Sequence, residues 1–190
     1  SIKAWAEVLI GFALLFMGLD ELKHAVPDLK QNPGFLSFLA DYADKGYLST
    51  IIFIGVGTIL TLVVQSSSAA MALTLVMCFE GYIPFQLAAA MVLGENIGTT
   101  ITANLAALVA NVHAKRAARA HFIFNVFGVL WMVSAFPFVI ELINDYMTNY
   151  MGMSPLNPED KSATVPLGLS IFHTTFNILN VILLVGFVPF

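Results

Sequence analysis

Two short polar runs interrupt otherwise apolar sequence, QSSS at 65–68 and GENIGTT at 94–100. Gln65 and Asn96 bring amides, Ser66, Ser67, Ser68, Thr99 and Thr100 bring hydroxyls, and the charge within the two runs is Glu95 alone. Uncharged oxygens suit a hard cation that must be bound and then released, whereas a carboxylate cage favours divalent ions. The same hydroxyl and amide groups can donate to an oxyanion. Gly94 and Gly98 let the backbone turn and let a ligand come close. Glu95, a carboxylate within an apolar stretch, is a functional candidate by default. It could carry a proton, join a cation shell or repel an anion. A lone Ser or Thr in such a setting usually bonds back to its own helix or packs against a neighbour. Two dense runs about thirty residues apart argue for a site instead.

A second pattern involves H-x-x-F-N, which occurs at His121–Asn125 and again at His173–Asn177. At the same offset Val129, Pro137 and Phe138 match Val181, Pro189 and Phe190, which reads as a structural repeat of two spans. His121, Asn125, His173 and Asn177 are therefore candidates to line the same cavity, or else to bond between helices.

These side chains have to be positioned by elements that live in a bilayer. Of the 190 residues 58% are hydrophobic and 11% charged, with a mean hydropathy of +0.85. Soluble domains carry about 25% charged residues, so the composition is that of an all-α membrane protein. A net charge of −4 with eight basic residues leaves no nucleic-acid footprint. Cys78 is the single cysteine, so no intrachain disulfide is possible. The expectation is one membrane domain over 1–190, with conventional spans at about 2–22, 121–142 and 165–190. Phe35, Phe38, Leu39 and Tyr42 at helical spacing predict an interfacial amphipathic helix over about 33–46. A packed connector is the alternative.

The stretches 48–79 and 85–112 are too long for one straight crossing and too short for two, since about twenty residues cross the hydrocarbon. Each carries a polar run near its middle, which predicts two half-helices with an irregular junction, as a re-entrant tip or an unwound span. Irregular backbone at membrane depth is tolerated only inside protein or beside water. New half-helices starting near Ala69 and Thr100 would point free N–H groups into the junctions, capped by Ser or Thr, while the ending halves offer carbonyls. Anion and Na⁺ sites of transporters are built this way. Lys115, Arg116 and Arg119 make 113–120 a cytoplasmic loop, and the acidic loop 143–164 extracytoplasmic.

QSSSAA, GENIGTTITANLAAL and KRAARAHFIFN, in that order, resemble the type II sodium-dependent phosphate cotransporter family. The resemblance implies an integral plasma-membrane protein taking up inorganic phosphate with Na⁺ as coupling ion, by alternating access. It further implies a membrane domain of two inverted repeats, each with a QSSS. Carried onto this sequence, Gln65, Ser66, Ser67, Ser68, Thr99 and Thr100 would bind phosphate, and Gln65, Ser67, Ser68, Asn96 and Thr99 sodium. The family commonly has a small residue where Glu95 stands. QSSS occurs once here, so the chain is expected to be one half, the second repeat, completed by a missing N-terminal half or by another chain. Ser1 is then read as a cut edge or a processed end. Two other readings stand beside symport: a passive pore for a small anion, and a half-module that binds only once paired. A serine hydrolase is disfavoured, because G-x-S-x-G is absent.

Overall fold

The hydrophobic stretches wind into helices, several of which pack around one buried helix. A computed structural model of the chain describes residues 2–25, 33–157 and 161–187. Its elements are α1 (Ile2–Ala25), α2 (Pro33–Ala43), α3 (Tyr47–Val64), α4 (Ser67–Phe79), α5 (Phe85–Ala107), α6 (Val112–Met151) and α7 (Lys161–Leu184), followed by a 3-10 turn at Val185–Phe187. Among the described residues there is no strand. Helix α5 is central and touches α3, α4, α6 and α7. Its Ala88, Ala89, Ala90, Val92 and Leu93 are completely buried, and Phe53, Met132, Phe172 and Phe176 close around it. The outside is apolar as well, with Leu9, Phe12, Ile59, Leu130, Phe138 and Ile182 exposed. Such a surface suits hydrocarbon, not water. Among the described residues, three helical segments are long and apolar enough to cross a membrane: Tyr47–Val64, Val112–Met151 and Thr164–Phe187. This is an all-α membrane protein.

The first long stretch is broken at the QSSS run. Helix α3 ends at Gln65, which adopts the left-handed conformation with φ 56°. Ser66 is extended and caps α4, its hydroxyl accepting from the Ala69 N–H at 3.3 Å. Contacts with α5 show how the two arms run. From Met91 to Gly98 along α5, the facing residues on α3 advance from Gly57 to Thr61, so those helices are parallel. Helix α4 leads through Gly81 straight into α5, and its Thr74 reaches back to Glu95, so α4 is antiparallel. The arms α3 and α4 form a hairpin whose tip, Gln65–Ser66, lies partway along α5.

The second stretch is not broken, which corrects the expectation of a junction at 94–100. Helix α5 is continuous from Phe85 to Ala107. Its polar side chains bond back to the helix instead of interrupting it. Asn96 donates to the Val92 carbonyl at 2.8 Å, Thr99 to that of Glu95 at 2.8 Å and Thr100 to that of Ile97 at 2.7 Å. No half-helix begins near Thr100; the stretch ends in a turn at 108–111.

Residues 113–120 are likewise not a loop. Asn111 caps α6 by accepting from the Ala114 N–H, so Lys115, Arg116 and Arg119 sit on its first turns. At 40 residues, α6 runs about 60 Å, twice the hydrocarbon thickness. It holds the expected span 121–142 and continues to Met151, leaving a shorter connection up to Asn157; Glu159 and Asp160 lie outside the described residues. Pro189 and Phe190 of the sequence echo lie outside them too, as do the side chains of Phe35 and Leu39 on α2. Phe38 and Tyr42 of α2 pack against the core.

Proline 137 interrupts α6 from within. Lacking an N–H, it frees the carbonyl one turn earlier, that of Val133. The Tyr47 hydroxyl, at the root of α3, donates to that carbonyl. Tyr47→Phe is expected to lower stability by about 1 kcal/mol, the low end for an acceptor left unpaired, because the site is partly exposed. Thermal unfolding in detergent checks this; an unchanged melting temperature would show the bond to be dispensable.

Candidate functional site

A cavity of about 420 Å³ opens beside the hairpin tip, and four helices wall it. Helix α4 supplies Ser67, Ser68 and Met71; α5 supplies Glu95, Asn96 and Thr99; α6 supplies His121 and Asn125; α7 supplies His173 and Asn177. Sequence positions more than a hundred residues apart, grouped by type alone, thus meet on one space. The reason is geometric: α5 carries Glu95, Asn96 and Thr99 on one face, the break at Gln65 turns the head of α4 toward that face, and the two H-x-x-F-N helices complete the walls.

Each wall is pre-set by bonds the residues make locally. Asn125 donates to the His121 carbonyl at 3.0 Å and Asn177 to the His173 carbonyl at 2.8 Å, the same bond in both copies of the motif. Both amide oxygens remain available as acceptors. Asn96 and Thr99 spend their donors on their own helix, which leaves their oxygens as acceptors or ligands. At the head of α4, Ser66 satisfies the Ala69 N–H, while the N–H groups of Ser67 and Ser68 belong to the first turn and have no partner within the helix. That end favours an anion.

Other expected residues lie elsewhere. Thr100 is fully buried and bonded to Ile97, because consecutive residues on a continuous helix point about 100° apart and only Thr99 can face the cavity. Gln65 and Ser66 form the tip itself and do not line the cavity. Gly94 and Gly98 are not open to a ligand. A Cβ on Gly94 would fall 2.0 Å from the Ile54 carbonyl oxygen, and one on Gly98 2.8 Å from that of Thr58. Their missing side chains let α3 approach, and Thr58 bonds across the seam to the Gly94 carbonyl at 3.0 Å.

Sequence reasoning missed Thr74. It is completely buried and its hydroxyl donates to Oε1 of Glu95 at 2.6 Å. The signal was present: Ser67, Met71 and Thr74 fall at i, i+4 and i+7, one face of α4. Among the described residues no cluster of three or more His, Cys, Asp or Glu is arranged for a metal ion. Any cation held here relies on mixed, mostly neutral oxygens.

The Na+/Pi-cotransporter family profile matches residues 37–153, more than half of the chain and all of α3, α4 and α5. The chain belongs to the Na+/Pi-cotransporter family. YqeW of Bacillus subtilis is 30% identical over 148 residues, covering 76% of this chain and 47% of that protein. A Salmonella typhimurium protein named for inorganic phosphate export, YjbB, is 30% identical over 135 residues, 71% of this chain and 24% of its own length. The mouse sodium-dependent phosphate transport protein 2C is 42% identical over 89 residues, 45% of this chain and 15% of its own. The chain therefore spans less than half the length of these relatives. No solved structure matches it significantly. The cotransporter family's match accounts for three of the four cavity walls; α7, with His173 and Asn177, lies beyond it.

Proposed function

We propose that the cavity is one half of the substrate site of a secondary transporter that moves inorganic phosphate together with Na⁺ by alternating access. One observation carries the reading. The backbone break at Gln65–Ser66, between α3 and α4, places neutral oxygens and a helix N-terminus against the same small space beside α5. The head of α4, with the Ser67 and Ser68 N–H and hydroxyl groups, suits the phosphate oxygens. Asn96 and Thr99 on α5, with the same serine hydroxyls, suit Na⁺. Gln65 and Ser66 set the tip and reach ligand from the side that this chain leaves open. Thr100 takes no direct part.

The second half of the site comes from another QSSS repeat, in the same protein or in a second chain. Gln65, Ser66, Ser67 and Ser68 are all exposed here, and irregular polar backbone is not stable against lipid. The limited share of its relatives that the chain spans fits this reading. By the positive-inside rule the basic first turns of α6 face the cytoplasm. The roots of the hairpin then lie on the outer side of the plasma membrane.

The test is uptake of radiolabelled phosphate by proteoliposomes holding the protein. An inward Na⁺ gradient should drive accumulation above the bath concentration, and an equal K⁺ gradient should not. Equilibration without accumulation would identify a passive pore instead. Ser67→Ala should cut Na⁺-driven uptake about tenfold or more, since a hydrogen bond to a charged ligand is worth about 1.5–3 kcal/mol. Full uptake in that variant would remove the α4 head from the site.

A further inference from the structure

Glu95 is 3% exposed, yet its carboxylate makes a single bond, from Thr74 to Oε1. Oε2 is buried with no hydrogen-bond partner among the described residues, and Glu95 faces the cavity. The other titratable groups on that space, His121 on α6 and His173 on α7, stand on other walls and do not reach Oε2. A buried carboxylate in this state is costly unless something positive completes it. The side chain is not a packing accident either, because Thr74 is completely buried and fixes which oxygen is turned away.

We infer that Oε2 of Glu95, positioned by Thr74, is a direct ligand of a monovalent cation, which it holds with the Ser67, Ser68, Asn96 and Thr99 oxygens. The inference rests on the Na⁺-coupled reading of the same cavity and adds a formal negative charge to an otherwise neutral oxygen set. Hard cations take oxygen ligands of this mixed kind. One carboxylate raises affinity and selectivity for cation over anion without building a divalent cage. Helix α4, which carries both the serines and Thr74, and helix α5, which carries Glu95, are then held together by the ion at a point where a hydroxyl–carboxylate bond already joins them. The consequence is that this half binds Na⁺ in the absence of phosphate.

The experiment is thermal unfolding of the purified, phosphate-free protein across a Na⁺ series at constant ionic strength, with choline as the replacement. Wild type should be stabilised by Na⁺. Glu95→Gln, which keeps the shape and the Thr74 bond, should weaken the apparent Na⁺ affinity about 100-fold, and Thr74→Val about 10-fold, as for ligand and outer partner of a metal site. Without Na⁺, Glu95→Gln should melt no lower than wild type, because an uncompensated buried carboxylate is gone. A packing role would give a lower melting temperature and an unaltered Na⁺ response. Glu95→Asp should retain part of the response. If wild type responds to Na⁺ and Glu95→Gln responds equally, the inference fails while Na⁺ coupling stands. If wild type itself does not respond, Na⁺ coupling falls with it.

Discussion

Alanine at Gly94 is expected to prevent recovery of a folded, monodisperse protein. The added Cβ would lie 2.0 Å from the Ile54 carbonyl oxygen and 2.8 Å from the Thr58 backbone nitrogen. Backbone cannot rotate aside as the end of a flexible side chain can, so α3 and α5 must separate. Separation also breaks the Thr58–Gly94 bond and uncovers the buried face of α5. Overpacking typically costs about 1–3 kcal/mol, and this contact belongs at or above the upper end. Gly57→Ala should behave alike, its Cβ lying 2.1 Å from the Met91 carbonyl oxygen. Gly55 provides the control two residues away. Nothing lies within 4 Å of its Cβ position, so Gly55→Ala should gain about 0.5–1 kcal/mol from helix propensity. Size-exclusion profiles and melting temperatures of the three variants check the seam. A wild-type profile for Gly94→Ala would mean that the helices are not in backbone contact.

Gln65→Gly should separate stability from transport, with opposite signs. Gln65 is held at φ 56°, a region that costs a residue with a side chain about 1–2 kcal/mol and glycine nothing. Allowing for glycine's extra freedom in the unfolded chain, the variant should be about 0.5–1 kcal/mol more stable. The hairpin tip keeps its geometry, and the amide alone is lost. If that amide meets ligand, Na⁺-driven phosphate uptake should fall about tenfold, roughly 1.4 kcal/mol of transition-state binding. Backbone strain kept at a site is a pointer to function, read from an observed outlier. A more stable variant that transports normally would show Gln65 to be a hinge residue with no ligand role.

The two polar runs looked equivalent in the sequence and folded differently. Both are dense in small hydroxyl and amide side chains. Asn96, Thr99 and Thr100 each find a carbonyl three or four residues back and leave the helix intact, whereas Ser66 turns its hydroxyl forward to a free N–H and caps a new one. Composition does not decide between back-bonding and capping; the backbone at Gln65 does. Gly94 and Gly98 misled for a related reason, since a missing side chain serves a helix neighbour as well as a ligand. Charge led the reading astray at 113–120. Lys115, Arg116 and Arg119 suggested a loop, yet Ala, Lys and Arg are strong helix formers, and the segment is the start of α6. The membrane class, the break at 65–66 and the pairing of the H-x-x-F-N motifs were legible because each rests on composition or local chemistry. Thr74 shares a helix face with Ser67 and Met71 by spacing alone, but its partner Glu95 comes within reach only once α4 folds back along α5.

The bond from Tyr47 to Val133 gives the hairpin a mechanical anchor. The foot of one arm is fastened to the turn of the long helix whose ladder Pro137 leaves open. Tilting that foot away would leave the Val133 carbonyl without this donor, whereas tilting both together keeps the bond. The foot of the hairpin and the proline turn of the long helix are therefore tied at one point, and any separation of the two is opposed by the loss of that bond.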